Sequence, residues 1–145
     1  MYKNDLEIIG NQLRTAKTIA VLGFSKYPNK TSREIANFLV DKGYTVIGIN
    51  PTIEEPEIDG IKIYKNLSNY DGNIDIVNVF RKSNDIPEII EDVLACNPKI
   101  LWLQQGIRND FAIRIVKEKG ITVYQDMCIA VYHNLCKYQD LGMNG

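Results

Sequence analysis

The residues best suited to chemistry in this chain fall in two short basic segments. The first is "GFSKYPNKTSR" (23–33), with Gly23, Ser25, Lys26, Lys30 and Arg33. A glycine there lets the backbone approach an anion. A helix starting near Thr31 would aim free N–H groups and its positive dipole end at the same spot. The second segment is "FRKS" (80–83), where Arg81 and Lys82 offer another cationic site. Two separated cationic sites suit a ligand with two phosphate groups. Lys26, Lys30 and Lys82 read equally well as solvated surface charges. Arg81 is the stronger phosphate candidate, because it follows the aromatic Phe80 at a strand end.

The familiar phosphate loops are missing. No Gly-Lys-Ser/Thr follows Gly23 at the Walker A distance, and the G-x-G-x-x-G pattern stops after its first glycine. The second strand ends in Asn50, not in the acid that would grip a ribose 2′-hydroxyl. Other single residues read more simply as structure. Cys128 is a small packed residue by preference, although a helix start beside it would favour a thiolate. Asp126 is a helix cap before it is a site residue. His133 has no second histidine to share a metal and suits a helix-surface or hydrogen-bonded role. Trp102 is core packing. Asp75 and Asn78 interrupt an apolar strand and need partners if buried. No triad, paired carboxylate set or metal cluster stands out.

These loops must be held by regular elements, and the apolar pattern supplies them. The runs "TIAVLG" (18–23), "TVIGIN" (45–50), "IDIVNVF" (74–80), "KILWLQ" (99–104) and "ITVYQ" (121–125) read as strands covered on both faces. A helix is expected over about 32–42, with Thr31 and Glu34 as a capping box and Gly43 at C′. A second should follow Asp85, whose spacing to Glu88 repeats that box, with Pro98 past its end. A third should run from near Asn109 to before Gly120, turning Ile113, Ile115 and Val116 to the sheet. The N-terminal segment reads as a helix laid on the sheet, and 62–64 as a short edge strand. Alternation of strand and helix predicts an α/β fold: a three-layer, doubly wound parallel sheet, one domain over residues 1–145.

Composition narrows the function. A net charge of −1 with scattered signs gives no basic footprint for nucleic acid and no membrane patch. No apolar run is long enough to span a bilayer, and the charged N-terminus does not read as a signal peptide. Three cysteines without a C-x-x-C pair point to free thiols and the cytoplasm.

In such a sheet, ligands collect beyond the carboxyl ends of strands where the winding reverses. The residues there are Gly23, Phe24, Ser25 and Lys26; Asn50 and Pro51; Phe80, Arg81, Lys82 and Ser83; "QQGIRN" (104–109); and Asp126 and Cys128. With "VLGFS", "PNKTSR", "GYTVIGINP", "IDIVNVFR", "LWLQQGIRN" and "QDMCIAVYH", the chain resembles the small, single-domain bacterial CoA-binding proteins of Rossmann-like fold. Relatives of that family include the CoA-binding domain of the succinyl-CoA synthetase α subunit and of NDP-forming acyl-CoA synthetases.

The resemblance covers about 15–135 and implies coenzyme A as the ligand. It implies that Gly23, Ser25 and Lys26 cradle the pyrophosphate with Arg33 nearby. Asn50 and Pro51 would line the nucleotide crevice, and Tyr64 would close one side. Phe80, Arg81 and Ser83 would border adenine and ribose phosphate, while Gln104, Gly106, Ile107 and Asn109 would face the pantetheine side or shape the pocket wall. Phe24 stands where the family often has a small residue and would narrow the mouth; Gln105 replaces a commonly apolar residue. The chain has no room for the synthetases' phosphohistidine and nucleotide-grasp modules, so the resemblance implies binding of CoA or an acyl-CoA without catalysis. Two alternatives stay open: an NADP-dependent enzyme or redox sensor using the same crevice, and a regulatory domain with a vestigial one. A homodimer through a sheet edge or helix face is a further expectation.

Overall fold

The computed structural model describes residues 3–140. Its strands are β1 (Thr18–Leu22), β2 (Thr45–Ile49), β3 (Glu57–Ile58), β4 (Ile61–Tyr64), β5 (Ile76–Val79), β6 (Ile100–Leu103) and β7 (Thr122–Tyr124). Its helices are α1 (Lys3–Thr15), α2 (Thr31–Asp41), α3 (Ile90–Cys96), α4 (Arg114–Glu118) and α5 (Ile129–Asp140). The strands form one sheet in the order β3-β4-β2-β1-β5-β6-β7. Every neighbouring pair is parallel except β3–β4. From β1 the chain builds outward through β2 to β4, then returns across β1 to start β5. The winding therefore reverses at β1, as the doubly wound reading required.

Side-chain alternation splits the core into two layers. Ile19 and Val21 of β1, with Ile76 and Trp102, pack against α1, α2 and α5 through Leu13, Leu39 and Ile129. Ala20 and Leu22, with Val77, Val79 and Leu101, pack against α3 and α4 through Val93 and Val116. Strands buried on both faces explain the nearly continuous Ile and Val runs.

Several local expectations are corrected. Thr31 is the first helical residue of α2, and the N-cap, Lys30, makes no side-chain cap bond. The expected Thr31–Glu34 capping box is therefore absent, while Gly43, at φ +96°, closes the C-terminus as expected. The segment after Asp85 is a 3-10 helix, Ser83–Ile89, with Pro87 inside it, and α3 proper starts only at Ile90. Proline removes an N–H donor and disfavours helical backbone at the residue before it. Glu88 consequently turns to Arg81 instead of closing a cap. The third helix shortens to Arg114–Glu118, because Asn109 Oδ1 accepts the Ala112 N–H and holds the preceding residues in a turn. Ile113 and Val116 face the core, but Ile115 is exposed. The antiparallel strand β3, two residues long, was not expected.

Candidate functional site

A crevice of about 610 Å³ opens at the carboxyl ends of β1, β2, β4 and β5, at the reversal of winding. Leu22, Ile49, Leu67 and Ile89 give it an apolar floor. Gly23, Asn50, Pro51 and Phe80 form its walls, with Lys65, Arg81, Glu88 and Asp92 bringing charge to the rim. Neither cysteine nor histidine lines it. Among the described residues, no group of three or more His, Cys, Asp or Glu is placed to hold a metal ion. An apolar floor edged by amides and cations can seat a base and sugar and neutralise phosphate.

Gly23 is needed by the fold itself. Its φ is +92°, and a Cβ there would stand 2.4 Å from the carbonyl oxygen of Phe80 on the adjoining strand. Its N–H donates to Ile49 O at 3.0 Å, and that of Phe24 to the same oxygen at 3.3 Å. The Gly23 amide is thus engaged within the sheet, while the residue lines the crevice and turns the backbone there. Free helical donors lie further on, at Thr31 and Ser32 in the first turn of α2, whereas the Arg33 and Glu34 N–H groups both donate to Lys30 O.

Phe24 is fully buried, so it cannot narrow a mouth. A Cβ on Gly48 of β2 would lie 2.7 Å from its ring, which shows how tightly the ring seats on the sheet. The Phe24 carbonyl accepts Asn50 Nδ2 at 2.8 Å, while Asn50 Oδ1 accepts from the Thr52 N–H at 2.9 Å and hydroxyl at 2.7 Å. Asn50 thus ties the β1 and β2 loops together at the crevice wall. Ser25 is held locally: its N–H donates to Ser32 Oγ, and its Oγ accepts from the Tyr27 N–H, both at 3.1 Å. Lys26 is exposed, its ammonium 5.5 Å from the Tyr27 ring centre.

Arg33 is also placed differently from expectation. It is only 1% exposed, paired with Asp59, and donates through Nη1 to Lys26 O at 2.8 Å. It therefore grips the loop from within. Arg81 is half-buried at the rim, its Nη2 3.0 Å from Glu88 Oε2 and 3.7 Å from Asp85 Oδ2. Tyr64 packs edge-on against Tyr70, ring centres 5.5 Å apart, and its carbonyl accepts the Asn50 N–H at 3.0 Å. It supports the wall through its backbone and does not line the crevice.

The segment 104–109 lies beyond the crevice and is largely self-satisfied. Gln104 is buried, and its Oε1 accepts from Asn78 Nδ2 and the Ile129 N–H, each at 3.3 Å. That corrects its ligand-facing assignment, for it joins β5, β6 and the start of α5. Asp126 accepts the Gly106 N–H at 2.6 Å, so it orients this turn and does not cap α5. Ile107 packs on the core, Asn109 donates to Ser83 O at 2.9 Å, and Ser83 Oγ accepts the Arg108 N–H at 3.0 Å. These contacts lock the loops after β5 and β6 to each other.

Residues assigned to structure find their partners. Asp75 Oδ2 accepts the Lys17 and Thr18 N–H groups at 2.8 and 3.0 Å. Burial pushes the Asp75 carboxyl up, yet the Thr18 and Lys17 hydrogen bonds and the Lys99 charge outweigh it and hold it below the usual value. Trp102 is core, with Nε1 donating to Met127 O at 2.8 Å. His133 meets Phe38 and Tyr44 edge-on. Cys96, Cys128 and Cys136 are free thiols.

Sequence reasoning missed Lys65, Asn66, Glu88 and Asp92. The carboxyl-end rule, applied to β4 as it was to the longer strands, would have found Lys65 and Asn66, which follow Tyr64 directly.

Comparisons with known proteins show the family and the fold. Residues 17–134 match the family described as CoA binding domain. The uncharacterized protein YneT of Bacillus subtilis is 43% identical over 125 residues, spanning 86% of this chain and 91% of that one. Cell-free ID.343 from Thermus thermophilus superposes with a TM-score of 0.87 at 34% identity, covering 90% of this chain and 98% of that structure. A dinucleotide-forming acetyl-coenzyme A synthetase from Ca. Korarchaeum cryptofilum shares the fold, with a TM-score of 0.65 at 22% identity; the match covers 81% of this chain but 28% of the synthetase.

Proposed function

The chain belongs to the CoA binding domain family, and from that premise we propose that it binds coenzyme A, free or as a thioester, in the crevice above β1, β2, β4 and β5. The observation that supports this most is the pairing of an apolar floor with Lys65 and Arg81 at the rim, at the point where the winding reverses. The adenosine half would lie on Leu22, Ile49 and Leu67 beside Asn50 and Pro51. Its ribose phosphate would meet Arg81, and the diphosphate would reach toward residues 25–32 and the first turn of α2. The pantetheine arm would then run over the joined loops 83–89 and 104–109.

The function proposed is binding, not turnover. Three free thiols support a reducing, cytoplasmic setting. Native mass spectrometry of the protein mixed with CoA or with NADP tests the ligand. A one-to-one CoA adduct is expected. An NADP adduct in its place would make the crevice a nicotinamide site, and no adduct with either would remove the nucleotide reading.

A further inference from the structure

Arg33 is the only charged side chain among the described residues that counts as buried, and its surroundings give it a task distinct from ligand contact. It stands in the first turn of α2. Nη1 donates to Lys26 O at 2.8 Å, with Ser25 O at 3.5 Å, while Nη2 pairs with the Asp59 carboxylate. The guanidinium lies 5.4 Å from the centre of the buried Phe24 ring. One group thus ties together the start of α2, the loop after β1 and the tip of the β3–β4 hairpin.

This arrangement is costly if judged as packing alone. A buried guanidinium is stabilising only when its donors are matched, and Arg33 Nε is buried without an acceptor. An apolar side chain of similar volume would fill the same space at lower cost. The arrangement does one thing an apolar side chain could not, which is to donate to two loop carbonyls and so fix their direction. With the Ser25 and Lys26 carbonyls drawn inward onto Arg33, the peptide planes of residues 25–27 are set, and so are the amides that follow.

The hairpin tip explains why the partner is Asp59. Asp59 and Gly60 have φ of +53° and +81°, the two positive values that a type I′ turn demands. Asp-Gly satisfies that turn, but so would Asn-Gly or Gly-Gly. The turn therefore does not account for the carboxylate, whereas Arg33 does.

We propose that Arg33 and Asp59 form a latch that fixes residues 25–30 in the conformation that receives the ligand's diphosphate, making the β3–β4 hairpin a positioning element for a ligand it does not touch. The proposal rests on the CoA reading of the site. Neither residue lines the crevice, so both act through the loop.

The test uses Asp59→Gly and Asp59→Asn in the full chain. Both keep the turn; glycine removes the acceptor, while asparagine keeps a neutral one. Calorimetry with CoA should give a Kd raised about tenfold for Asp59→Gly and partly restored for Asp59→Asn. Amide hydrogen exchange should accelerate at residues 25–30 in Asp59→Gly, with β1 and the body of α2 still protected. Wild-type CoA affinity in Asp59→Gly, or unchanged exchange at 25–30, would overturn the latch and leave the CoA reading standing. Absence of CoA binding by the wild-type chain would instead overturn the CoA reading, and with it the role given to the latch.

Discussion

Arg81 Nη2 lies 3.0 Å from Glu88 Oε2, at the rim of the crevice proposed to hold coenzyme A. Both groups are partly exposed, and ion pairs of that kind contribute only ~0–1 kcal/mol. The pair is therefore easily exchanged for a phosphate, whose oxygens can take a guanidinium in bidentate fashion. Glu88 orders Arg81 and would also oppose an incoming anion.

Two substitutions separate these roles. Arg81→Ala should raise the Kd for CoA about tenfold or more while leaving the thermal midpoint almost unchanged. Glu88→Gln should lower the Kd about two- to fivefold, by removing the competing carboxylate. Titration calorimetry reads both. Equal affinities across the three proteins would exclude Arg81 from the site.

Gly23→Ala should be among the most damaging small changes. The added Cβ would stand 2.4 Å from Phe80 O, with backbone at φ +92°. A cost of about 2–4 kcal/mol follows from overpacking together with the unfavourable backbone. Urea unfolding should show a lower midpoint at unchanged slope. Wild-type stability would mean that the β1–β5 approach relaxes freely.

At the opposite, amino-terminal ends of the strands, Asp75 predicts a pH effect on stability without one on the ligand. Its carboxyl is held below the usual value in the folded chain. A depressed folded pKa contributes stability that is present above the unfolded carboxylate pKa. That contribution is lost as pH falls through the folded value. At neutral pH, Asp75→Asn should cost about 1–2 kcal/mol, the difference between charged and neutral acceptors for the Lys17 and Thr18 N–H groups. The gap from wild type should close in acid, below the ordinary carboxylate range. A gap independent of pH, measured by urea unfolding, would show that the charge of Asp75 does not contribute.

Gly48→Ala probes the support beneath the loop. A Cβ there would come within 2.7 Å of the Phe24 ring and 2.8 Å of Ile63 Cδ1. Displacing Phe24 moves the surface on which Arg33 lies. The variant should lose about 1–3 kcal/mol of stability and also bind CoA more weakly. Unaltered affinity in a destabilised variant would uncouple the Phe24 seat from the site.

The parallel, doubly wound sheet was legible because buried parallel strands leave continuous Ile and Val runs, as in β1 and β5. Two residues of β3 are too few to show a period. Pro87 signalled that the helix after β5 would start late, but the Asp85–Glu88 spacing imitated a cap. The crevice was legible at Gly23, Asn50, Pro51, Phe80 and Arg81, each placed by a strand end. Direction was the hidden quantity. Phe24 follows a glycine and could face either side, and only the bare backbone of Gly48 on the next strand settles it. Arg33 read as a cationic donor beside the diphosphate, because its partner Asp59 sits on a hairpin the sequence barely marks. Gln104 looked polar enough for a ligand, yet Asn78 and Ile129 use its amide oxygen.

The most direct test is amide NMR of the isotopically labelled protein titrated with CoA. Saturable shifts should concentrate at Gly23, Asn50, Lys65, Asn66 and Arg81, extend through residues 25–32, and spare Thr18 and Asp75 at the opposite, amino-terminal ends of the strands. A spectrum unmoved by CoA, or shifts confined to the groove between α1 and α5 around Arg14, Lys42 and His133, would contradict binding at the reversal of winding.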